Sequence, residues 1–407
     1  MRSRSASALV AVVLAALVAA LGLAPTASAS SRAHQKPGKP LTVMTRNLYL
    51  GADINRPIVA ALTAQGAGGS AQDVFVALAN ASHQTRAIVD QTNFTVRARL
   101  LAKEFKKTRP DLVGLQEVAL WRHGPLDTDP SLIAVPNATV VDYDYLDILL
   151  KALRKKGLHY KAVVVGTRAD VEAPSFTGDP RLGTMSSDAR DVRLTMRDVI
   201  LKRAKNDVKV LDTHDALYTH NLAVPLASVG KTFSFNRGYQ WVDVRHGSKR
   251  FRFINTHLES ERSDLALAQA QELIANAPSS TRTNVFVCDC NSDPLNHTIK
   301  TYLNPPDTQP HSAPYDYITG PGGFTDEWLR WKPAAQGWTS GLSELVNDTT
   351  AAGFNHRIDM VFARKATGGG LPVDKGWVTG TKLTDRDPST GLWPSDHGGV
   401  VLRLRGL

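Results

Sequence analysis

The sequence predicts an α/β protein in which one sheet packs on another and helices lie outside them. Two observations predict this class. Short apolar runs with the character of strands recur along the chain, and only a few amphipathic stretches lie between them. Length and composition agree, because 407 residues with 42% hydrophobic and 21% charged side chains supply a large buried core. A disordered chain, a collagen-like repeat and a minimal disulfide-bonded scaffold are excluded.

Nine apolar runs are expected to be strands, and three amphipathic stretches are expected to be helices. The predicted strands cover residues 41–48, 112–116, 162–165, 198–202, 240–244, 251–255, 285–288, 358–362 and 399–404. The predicted helices cover residues 92–107, 144–155 and 264–277. The pattern contains no internal repeat, so one domain is expected over residues 41–407.

The first 29 residues are expected to be a secretory signal peptide. They contain a basic start, an unbroken apolar run and a small-x-small cleavage site, at Arg2 and Arg4, residues 8–23, and residues 27–29. A retained membrane anchor is the alternative, although the apolar run is short for a bilayer. Residues 30–40 are polar and punctuated by prolines, which indicates a disordered leader. The sequence therefore predicts a secreted, extracellular protein with no stable membrane insertion once the signal is removed.

The basic residues outnumber the acidic ones, 48 to 38, which gives a formal net charge of +10. Only Arg2 and Arg4 of this excess lie in the expected signal peptide, so the excess belongs to the mature chain. It favours polyanionic partners such as nucleic acid, anionic lipid or phosphorylated metabolites, without choosing among them. No protein partner is predicted.

The two cysteines, Cys288 and Cys290, form a C-x-C pair at the end of a predicted strand. In a strand the two thiols share a face at a separation poorly suited to a disulfide. No bridge is therefore expected, and both side chains are interpreted as small packed core residues on the face opposite Asp289.

Two polar stretches that contain glycine and proline, residues 122–140 and 303–348, have the character of long surface insertions. Loops of this kind often contact the substrate, and the alternative is that they have no functional role. The second holds three tryptophans interleaved with basic residues: Trp328, Arg330, Trp331, Lys332 and Trp338. Four roles are open for these tryptophans: stacking on nucleic-acid bases, lining a substrate pocket, contact with a membrane surface, or packing in the core.

Polar side chains capable of catalysis stand at or beside one end of six apolar runs. They are Asn47, Glu117, His257, Asp289 with Asn291, Asp359, and Asp396 with His397. Taken singly, Asn47 is a turn or capping residue, Glu117 a solvated strand end and His257 a hydrogen-bonded surface imidazole. Six such ends in one chain indicate a shared rim that carries one site.

In order along the chain, the motifs T-R-N-L, L-Q-E-V, N-T-H-L, D-C-N-S-D-P, R-I-D-M-V-F and S-D-H-G resemble those of the endonuclease/exonuclease/phosphatase superfamily, the deoxyribonuclease I-like proteins. The resemblance extends from Leu41 to about Leu404 and is to secreted bacterial members. It implies a four-layer sandwich of two packed, mostly antiparallel sheets flanked by helices. It also implies a divalent-metal site between the sheet edges and hydrolysis of a phosphate ester.

The chemistry of the residues agrees with a metal-dependent hydrolase. A phosphate ester repels hydroxide, so its hydrolysis needs a cation, an activated water and donors to the phosphate oxygens. Glu117 is the hard oxygen ligand that Mg²⁺ or Mn²⁺ prefers, and by resemblance Asn47 and Asp396 complete or flank the site. Ca²⁺ as a structural or accessory ion is a further option. Two cysteines argue against a thiolate zinc cluster.

The catalytic roles follow from residue type together with the resemblance. Asp289 and Asn291 share a face if the strand continues through them, so Asp289 orients or deprotonates the water and Asn291 donates its amide to a phosphate oxygen. His397 stands against the phosphate as a base or charge stabiliser. Asp359 fixes the tautomer of His397, unless it merely pairs with Arg357.

His257 is the candidate general acid, or a donor to the phosphate if the leaving group needs no proton. A histidine at this position favours the deoxyribonuclease I and phosphatase branches over the abasic-endonuclease branch, but its acidic partner cannot be placed. Arg197 stands at a strand start where the family often has a phosphate contact, and a salt bridge with Asp198 or Asp191 explains it equally well. Arg237 is most simply part of a turn.

Three classes of enzyme could use this set of catalytic and metal-binding residues. A nuclease acting on DNA or RNA would use the basic excess to hold the backbone, and it is favoured over a phosphatase or a phospholipase C-like hydrolase of small molecules or lipids. The chain lacks a long aromatic-tipped hairpin for membrane docking and lacks a sequence-reading motif. A non-catalytic binding protein on the same fold is the least favoured, because all six motif positions keep the demanding residue types.

Overall fold

Alternating side chains build two stacked sheets in the computed structural model, which describes residues 39–407. The predicted signal peptide and residues 30–38 of the predicted leader lie outside the described residues. The strands are β1 (Leu41–Asn47), β2 (Leu112–Gln116), β3 (Leu120–Gly124), β4 (Val140–Asp144), β5 (Tyr160–Ser175), β6 (Arg190–Arg203), β7 (Val208–Leu217), β8 (Leu222–Leu226), β9 (Lys231–Phe235), β10 (Gly238–His246), β11 (Lys249–His257), β12 (Thr283–Asp289), β13 (Thr325–Asp326), β14 (Asp359–Arg364), β15 (Val373–Thr379) and β16 (Gly399–Leu404). The helices are α1 (Asn55–Gly66), α2 (Ala71–Gln91), α3 (Phe94–Thr108), α4 (Tyr145–Lys155), α5 (Ser263–Asn276), α6 (Ala313–Thr319) and α7 (Glu327–Trp331).

The larger sheet has the strand order β15-β16-β1-β2-β6-β3-β4, with β5 beside β6. The second sheet has the order β13-β14-β12-β11-β10-β7, and β8 pairs with β9 as a separate hairpin. The pairs β1–β2 and β11–β12 are parallel, and the other pairs of the described strands are antiparallel. The predicted sandwich of two mostly antiparallel sheets is confirmed.

Each central strand is buried on both faces, which sets the order of the layers. Val43 on β1 and Val285 on β12 point into a core between the two sheets. Their neighbours point outward, because successive side chains of a strand alternate. Met44 packs under helices α1 to α4, and Phe286 packs under α5 and α6. The result is a helix, sheet, sheet, helix stack of four layers.

Helices α1 and α2 were not predicted by the apolar periodicity. In α2 the apolar face is built in part from alanines such as Ala79 and Ala81, whose small side chains give a weak pattern. The start of α2 did carry a signal, because Ser70 accepts from the Asp73 backbone and the Asp73 carboxylate accepts from the Ser70 backbone. No helix within residues 39–407 combines the length and apolar character that a bilayer crossing requires.

The stretch at residues 303–348 is more ordered than the insertion that the sequence suggested. It contains α6, α7 and β13, and β13 pairs with β14 at the edge of the second sheet. Trp328 is buried in the core between the sheets, and its indole donates to the carbonyl of Ala335. Trp331 packs against Trp328, whereas Trp338 is exposed. The core explanation therefore holds for Trp328, and Trp338 is the one of the three that is open to solvent.

Cys288 and Cys290 form a disulfide, which corrects the sequence expectation. The expectation assumed that the strand continues through both residues, but β12 ends at Asp289 between them. The chain turns there, so the two Cα atoms are 5.1 Å apart, within the range that a disulfide spans. Both side chains are buried among apolar residues, as expected.

Candidate active site

The strand register brings the predicted rim residues to one end of both sheets. In the larger sheet, Asn47 at the end of β1 is paired with Gln116, the residue before Glu117. The antiparallel strand β16 begins on the other side of β1 at this same end, two residues after His397. In the second sheet, Asp289 is paired with His257 on one side and with Asp359 on the other. A hydrogen bond of 2.8 Å from Asn47 Nδ2 to Asp289 Oδ2 joins the two sheets at this end.

Asp289 is the centre of the arrangement and is fully buried. Besides the bond from Asn47, its Oδ1 accepts from the backbone amide of Asn291 at 3.1 Å. Its Oδ2 lies 3.5 Å from His257 Nε2 and 3.8 Å from His397 Nδ1. Burial, partly offset by the charge of His397, raises the pKa of Asp289 to about 7. Such a carboxyl group exchanges a proton near neutral pH, as a general base must.

His397 is held by carboxylates. Its Nδ1 lies 2.8 Å from Asp359 Oδ2, and its Nε2 lies 3.9 Å from Asp396 Oδ1. Burial lowers the pKa of His397, but the charges of Asp359, Asp396 and Asp289 outweigh it and hold that pKa well above its usual value. The direction of this shift favours the protonated, cationic form of His397 at neutral pH.

Asp359 makes the contact with His397 that fixing a tautomer requires, and it does not pair with Arg357. The Arg357 guanidinium donates instead to Asp326 at 2.7 Å. The second oxygen of Asp359, Oδ1, is buried and has no hydrogen-bond partner. The ligand atoms of Asp289, Asp359 and His397 all lie within 4.8 Å of one another, so this buried group has the composition and spacing to hold a metal ion.

His257 faces an arginine on one side and carboxylates on the other. Arg237 Nη1 lies 2.9 Å from its Nδ1 and 3.2 Å from its Nε2, and Nε2 also faces Asp289 and, at 4.0 Å, Glu117. A guanidinium only donates, and its shorter distance to the ring is the one to Nδ1, so the contacts favour a lone pair on Nδ1 and a proton on Nε2, the nitrogen that faces the carboxylates. Burial and the charge of Arg237 lower the pKa of His257 well below its usual value.

Glu117 and Asp396 line an acidic cleft of about 150 Å³ beside this buried group. Glu117 Oε2 accepts from the backbone amide of Leu50 at 2.8 Å, and Ser395 Oγ contacts Asp396 Oδ1 at 3.2 Å. Burial and the charge of Asp396 raise the pKa of Glu117. The charged side chains that line the cleft are Asp53, Glu117, Glu259, Glu261, Asp396 and Arg237. Oxygen donors with so much uncompensated negative charge fit a hard divalent cation.

Asn47 uses both ends of its amide. Its Nδ2 donates to Asp289, and its Oδ1 accepts from the backbone amide of Tyr49 at 2.7 Å. A carbonyl oxygen has a second lone pair, so the predicted role of Asn47 as a metal ligand stays a prediction. In the described structure Asn47 positions Asp289.

Two predicted residues make contacts other than those expected. Asn291 lies beyond the end of β12 with a positive φ of 43°, and its amide donates to the carbonyl of Leu258 at 2.9 Å. Arg197 does not line the cleft. It donates to the carbonyl of Val118 at 2.9 Å and to Asp144 at 2.7 Å, rather than to Asp198 or Asp191. Arg197 thus holds the turn that follows Glu117, and a phosphate contact stays a prediction.

The sequence analysis interpreted Arg237 only as part of a turn, and it missed Glu259. Arg237 precedes β10, and the register of the β10–β11 hairpin places the next residue, Gly238, opposite His257. Glu259 is buried, its Oε2 has no hydrogen-bond partner, and that oxygen lies 3.8 Å from Arg237 Nε. Glu259 follows His257 by two residues, so its charge beside a predicted site was the available signal. Only pairing the hairpin correctly could have added Arg237.

Comparison with known proteins shows similarity at the level of structure alone. No protein-family model matches the chain, and no curated protein matches it. An endonuclease/exonuclease/phosphatase family protein from Leptotrichia buccalis superposes with a TM-score of 0.50 at 13% identity, over 89% of this chain and 99% of that one. TDP2 from D. rerio, complexed with a single-strand DNA product, gives 0.48 at 16% identity over 90% and 98%. The mannosyl-6-phosphatase Bt3783 from Bacteroides thetaiotaomicron gives 0.48 at 14% identity over 89% and 99%.

The first of these matches covers 89% of this chain. The two-sheet sandwich with its flanking helices is shared, and at this level of identity the likeness concerns the fold. The chain therefore has the fold of the endonuclease/exonuclease/phosphatase proteins, as its motifs indicated.

Proposed function

We propose that the protein is a divalent-metal-dependent phosphoesterase and that nucleic acid is its favoured substrate. One observation carries the proposal: two sheets meet at a buried carboxyl group, Asp289, which is joined to Asn47 and faces the His397–Asp359 pair beside an acidic cleft. A general base, a fixed cation and a cation-binding cleft are the three parts that hydrolysis of a phosphate ester requires.

Asp289 and His397 have different tasks in this proposal. Asp289, whose pKa is about 7, takes the proton of the attacking water. His397 stays protonated and stabilises the negative charge on the phosphate, so of the two roles open from the sequence the charge-stabilising one fits its environment. His257 presents Nε2–H as a hydrogen-bond donor to the phosphate. Because His257 is neutral, it donates that hydrogen bond without serving as a strong acid.

Glu117 and Asp396 would hold the divalent ion, Mg²⁺ or Mn²⁺, with the free lone pair of Asn47 available as a third ligand. The raised pKa of Glu117 supports this assignment, because it reflects burial and the charge of Asp396, which His397 and Arg237 offset only in part. When bound, such an ion supplies positive charge to the phosphate oxygens. Ca²⁺ in a structural or accessory place remains part of the proposal.

The substrate class rests on charge. A net charge of +10 favours a polyanion, and most of the affinity of such proteins for nucleic acid comes from contacts with the phosphate backbone. The small volume and acidic lining of the cleft favour a second candidate, a small or lipid phosphate ester whose single phosphate enters with the cation. A non-catalytic binding protein is the third candidate, and it would show no turnover.

The test is an activity panel on the purified mature protein. Plasmid DNA, RNA, inositol phosphates, sphingomyelin and a generic phosphomonoester are each incubated with Mg²⁺, with Mn²⁺ and with a chelator. We expect metal-dependent hydrolysis that the chelator abolishes, strongest on nucleic acid. Preference for a monoester or lipid would select the second candidate, and no turnover on any substrate would overturn the enzyme proposal. Asp289→Asn serves as the inactive control, and Asp212→Asn on exposed β7 as the control for an equal change in charge.

We also propose that the protein is secreted. The support is the signal-peptide pattern of residues 1–29 together with the disulfide, a bond typical of proteins in oxidising compartments. Protein sequencing of the culture medium is expected to find a chain that begins at Ser30. Recovery of the chain in the cells alone would contradict the proposal.

A further inference from the structure

The Cys288–Cys290 disulfide encloses the residue that the proposed reaction uses as its base. The bridge closes a small covalent ring through the backbone of Asp289. Both cysteines are fully buried in the apolar cluster under α5, with Phe286 and Met360 among their neighbours. The Asp289 carboxylate points the other way, toward Asn47. The bridge therefore lies directly behind the catalytic carboxylate and away from the cleft.

Asp289 is the last residue of β12 whose backbone position is fixed by pairing within the sheet. Within β12 it is the last residue paired on both sides, opposite His257 and Asp359. The chain then leaves the sheet: Cys290 keeps one backbone bond, to the carbonyl of Ile358, and Asn291 turns with a positive φ. The ladder restrains Asp289 from its N-terminal side. On its C-terminal side the covalent ring supplies the restraint that the ladder no longer gives.

The demands on the position of Asp289 are narrow. One of its oxygens has to accept from Asn47 at 2.8 Å while lying 3.5 Å and 3.8 Å from the two imidazoles. A small rotation of the backbone at the end of a strand would move the carboxylate relative to all three partners. Reacting groups lose rate steeply when they are misplaced by a fraction of an ångström to an ångström.

We infer that Cys288 and Cys290 are positioning residues whose disulfide fixes the carboxylate of Asp289 for the reaction; this rests on the proposed function of Asp289. Global stabilisation is a poor alternative account. The stabilisation by loop closure grows with the number of residues enclosed, and this bridge encloses a single residue. Its effect is therefore local, on the backbone angles of Asp289.

The experiment compares the wild type with Cys290→Ala, which removes the bridge at the cost of one sulfur, and with Cys288→Ala/Cys290→Ala. Leu273→Ala, in α5 of the same apolar cluster, is the control for a cavity that leaves the backbone of Asp289 untouched. We expect both bridge variants to lose at least about tenfold in kcat with KM nearly unchanged, while Leu273→Ala loses stability and keeps kcat. A kcat within twofold of the wild type in a folded bridge variant would overturn the inference.

Two further readouts do not depend on activity. Thiol counting on denatured, unreduced wild-type protein is expected to find no free thiol, and two free thiols would overturn the inference. The imidazole NMR signals of His257 and His397, which face Asp289, are expected to shift in the bridge variants and to stay in place in Leu273→Ala. Unchanged signals would overturn the inference whatever the activity. If the wild type hydrolyses no phosphate ester, the proposed function fails, and the NMR comparison still decides whether the bridge positions Asp289.

Discussion

Arg237 donates to Nδ1 of His257 at 2.9 Å, and burial together with this guanidinium keeps a histidine neutral in the middle of a cluster of carboxylates. The nearby carboxylates of Asp289 and Glu117 would by themselves favour the protonated ring. Burial and Arg237 together reverse that preference, so the pKa of His257 lies well below its usual value while that of His397 lies well above. Two histidines of one site are thus set to opposite charge states.

Replacing Arg237 by methionine is expected to raise the pKa of His257, because the strongest positive charge beside the ring is removed. Turnover is expected to fall roughly ten- to hundredfold, since the one positive charge among the described charged residues that line the cleft is lost. The pKa is measured by NMR titration of the imidazole. Arg245→Met, at the far, exposed end of β10, is the matched control and should leave both quantities unchanged. A pKa of His257 that falls or stays constant in Arg237→Met would contradict the conclusion that Arg237 lowers it.

The dependence of activity on pH is expected to report Asp289. Its carboxyl group has to be ionised to accept a proton, and its pKa is about 7, so kcat/KM should fall about tenfold per pH unit below that value. Above pH 7 a plateau is expected, because the raised pKa of His397 keeps that ring protonated. The profile is recorded with the metal at saturation. In Asp289→Asn the rate should be at least a hundredfold lower and nearly flat with pH, and an unchanged ascending limb would assign it to another group.

Glu117→Gln is expected to separate metal binding from stability. The pKa of Glu117 is raised in the folded state, so its ionised form costs folding free energy at neutral pH, and that cost disappears with the charge. Without metal, the free energy of unfolding of the variant should therefore be no lower than that of the wild type. The Mg²⁺ concentration for half-maximal activity should rise at least tenfold.

Denaturant titrations with and without Mg²⁺ provide both measurements for Glu117→Gln. Stabilisation of the wild type by Mg²⁺ follows from binding to the folded state alone and should be lost in the variant. Asp212→Asn, with the same change in charge on an exposed strand, should respond to Mg²⁺ as the wild type does. A Glu117→Gln variant with full activity at low Mg²⁺ would show that the metal binds elsewhere, and the buried group of Asp289, Asp359 and His397 would then be the next candidate.

The rim of the site was predictable because it depends on where strands end. Apolar runs identify the strands, and the ends of neighbouring strands meet at one edge, so Asn47, Glu117, Asp289 and His397 could be brought together without knowing the packing. The same logic failed one residue beyond a strand end. Asn291 and the cysteines were assigned faces by continuing β12, but the strand stops at Asp289 and the chain turns.

Side-chain contacts between elements far apart in the chain could not be predicted from the sequence. Arg237 reaches His257 through the register of a hairpin, which the residue pattern does not specify to the single residue. Arg197 found its partner in Asp144, more than fifty positions earlier in the chain, while the sequence offered only its neighbours Asp198 and Asp191 as alternatives. Helices α1 and α2 were not predicted, for a related reason. Alanine-rich faces are fixed by what packs on them, and that information lies in other elements.

The pairing of Asp359 with His397 supports a last prediction. Asp359→Asn removes the charge that does most to raise the pKa of His397, so that pKa should fall. The amide can also donate to Nδ1, which favours the wrong tautomer of the neutral ring. Both effects weaken the cation that faces the phosphate, and kcat should fall by roughly two to four orders of magnitude.

Arg357→Lys is the matched control for Asp359→Asn, because Arg357 pairs with Asp326 and makes no bond with Asp359. It should leave the pKa of His397 unchanged and kcat within about twofold of the wild type, which separates the His397 contact from the alternative of a plain Arg357–Asp359 ion pair. The pKa is followed by NMR titration of His397 in both variants. A loss of activity in Asp359→Asn with an unaltered pKa of His397 would mean that Asp359 acts directly, through its unpaired Oδ1, and that this oxygen is a ligand of the metal.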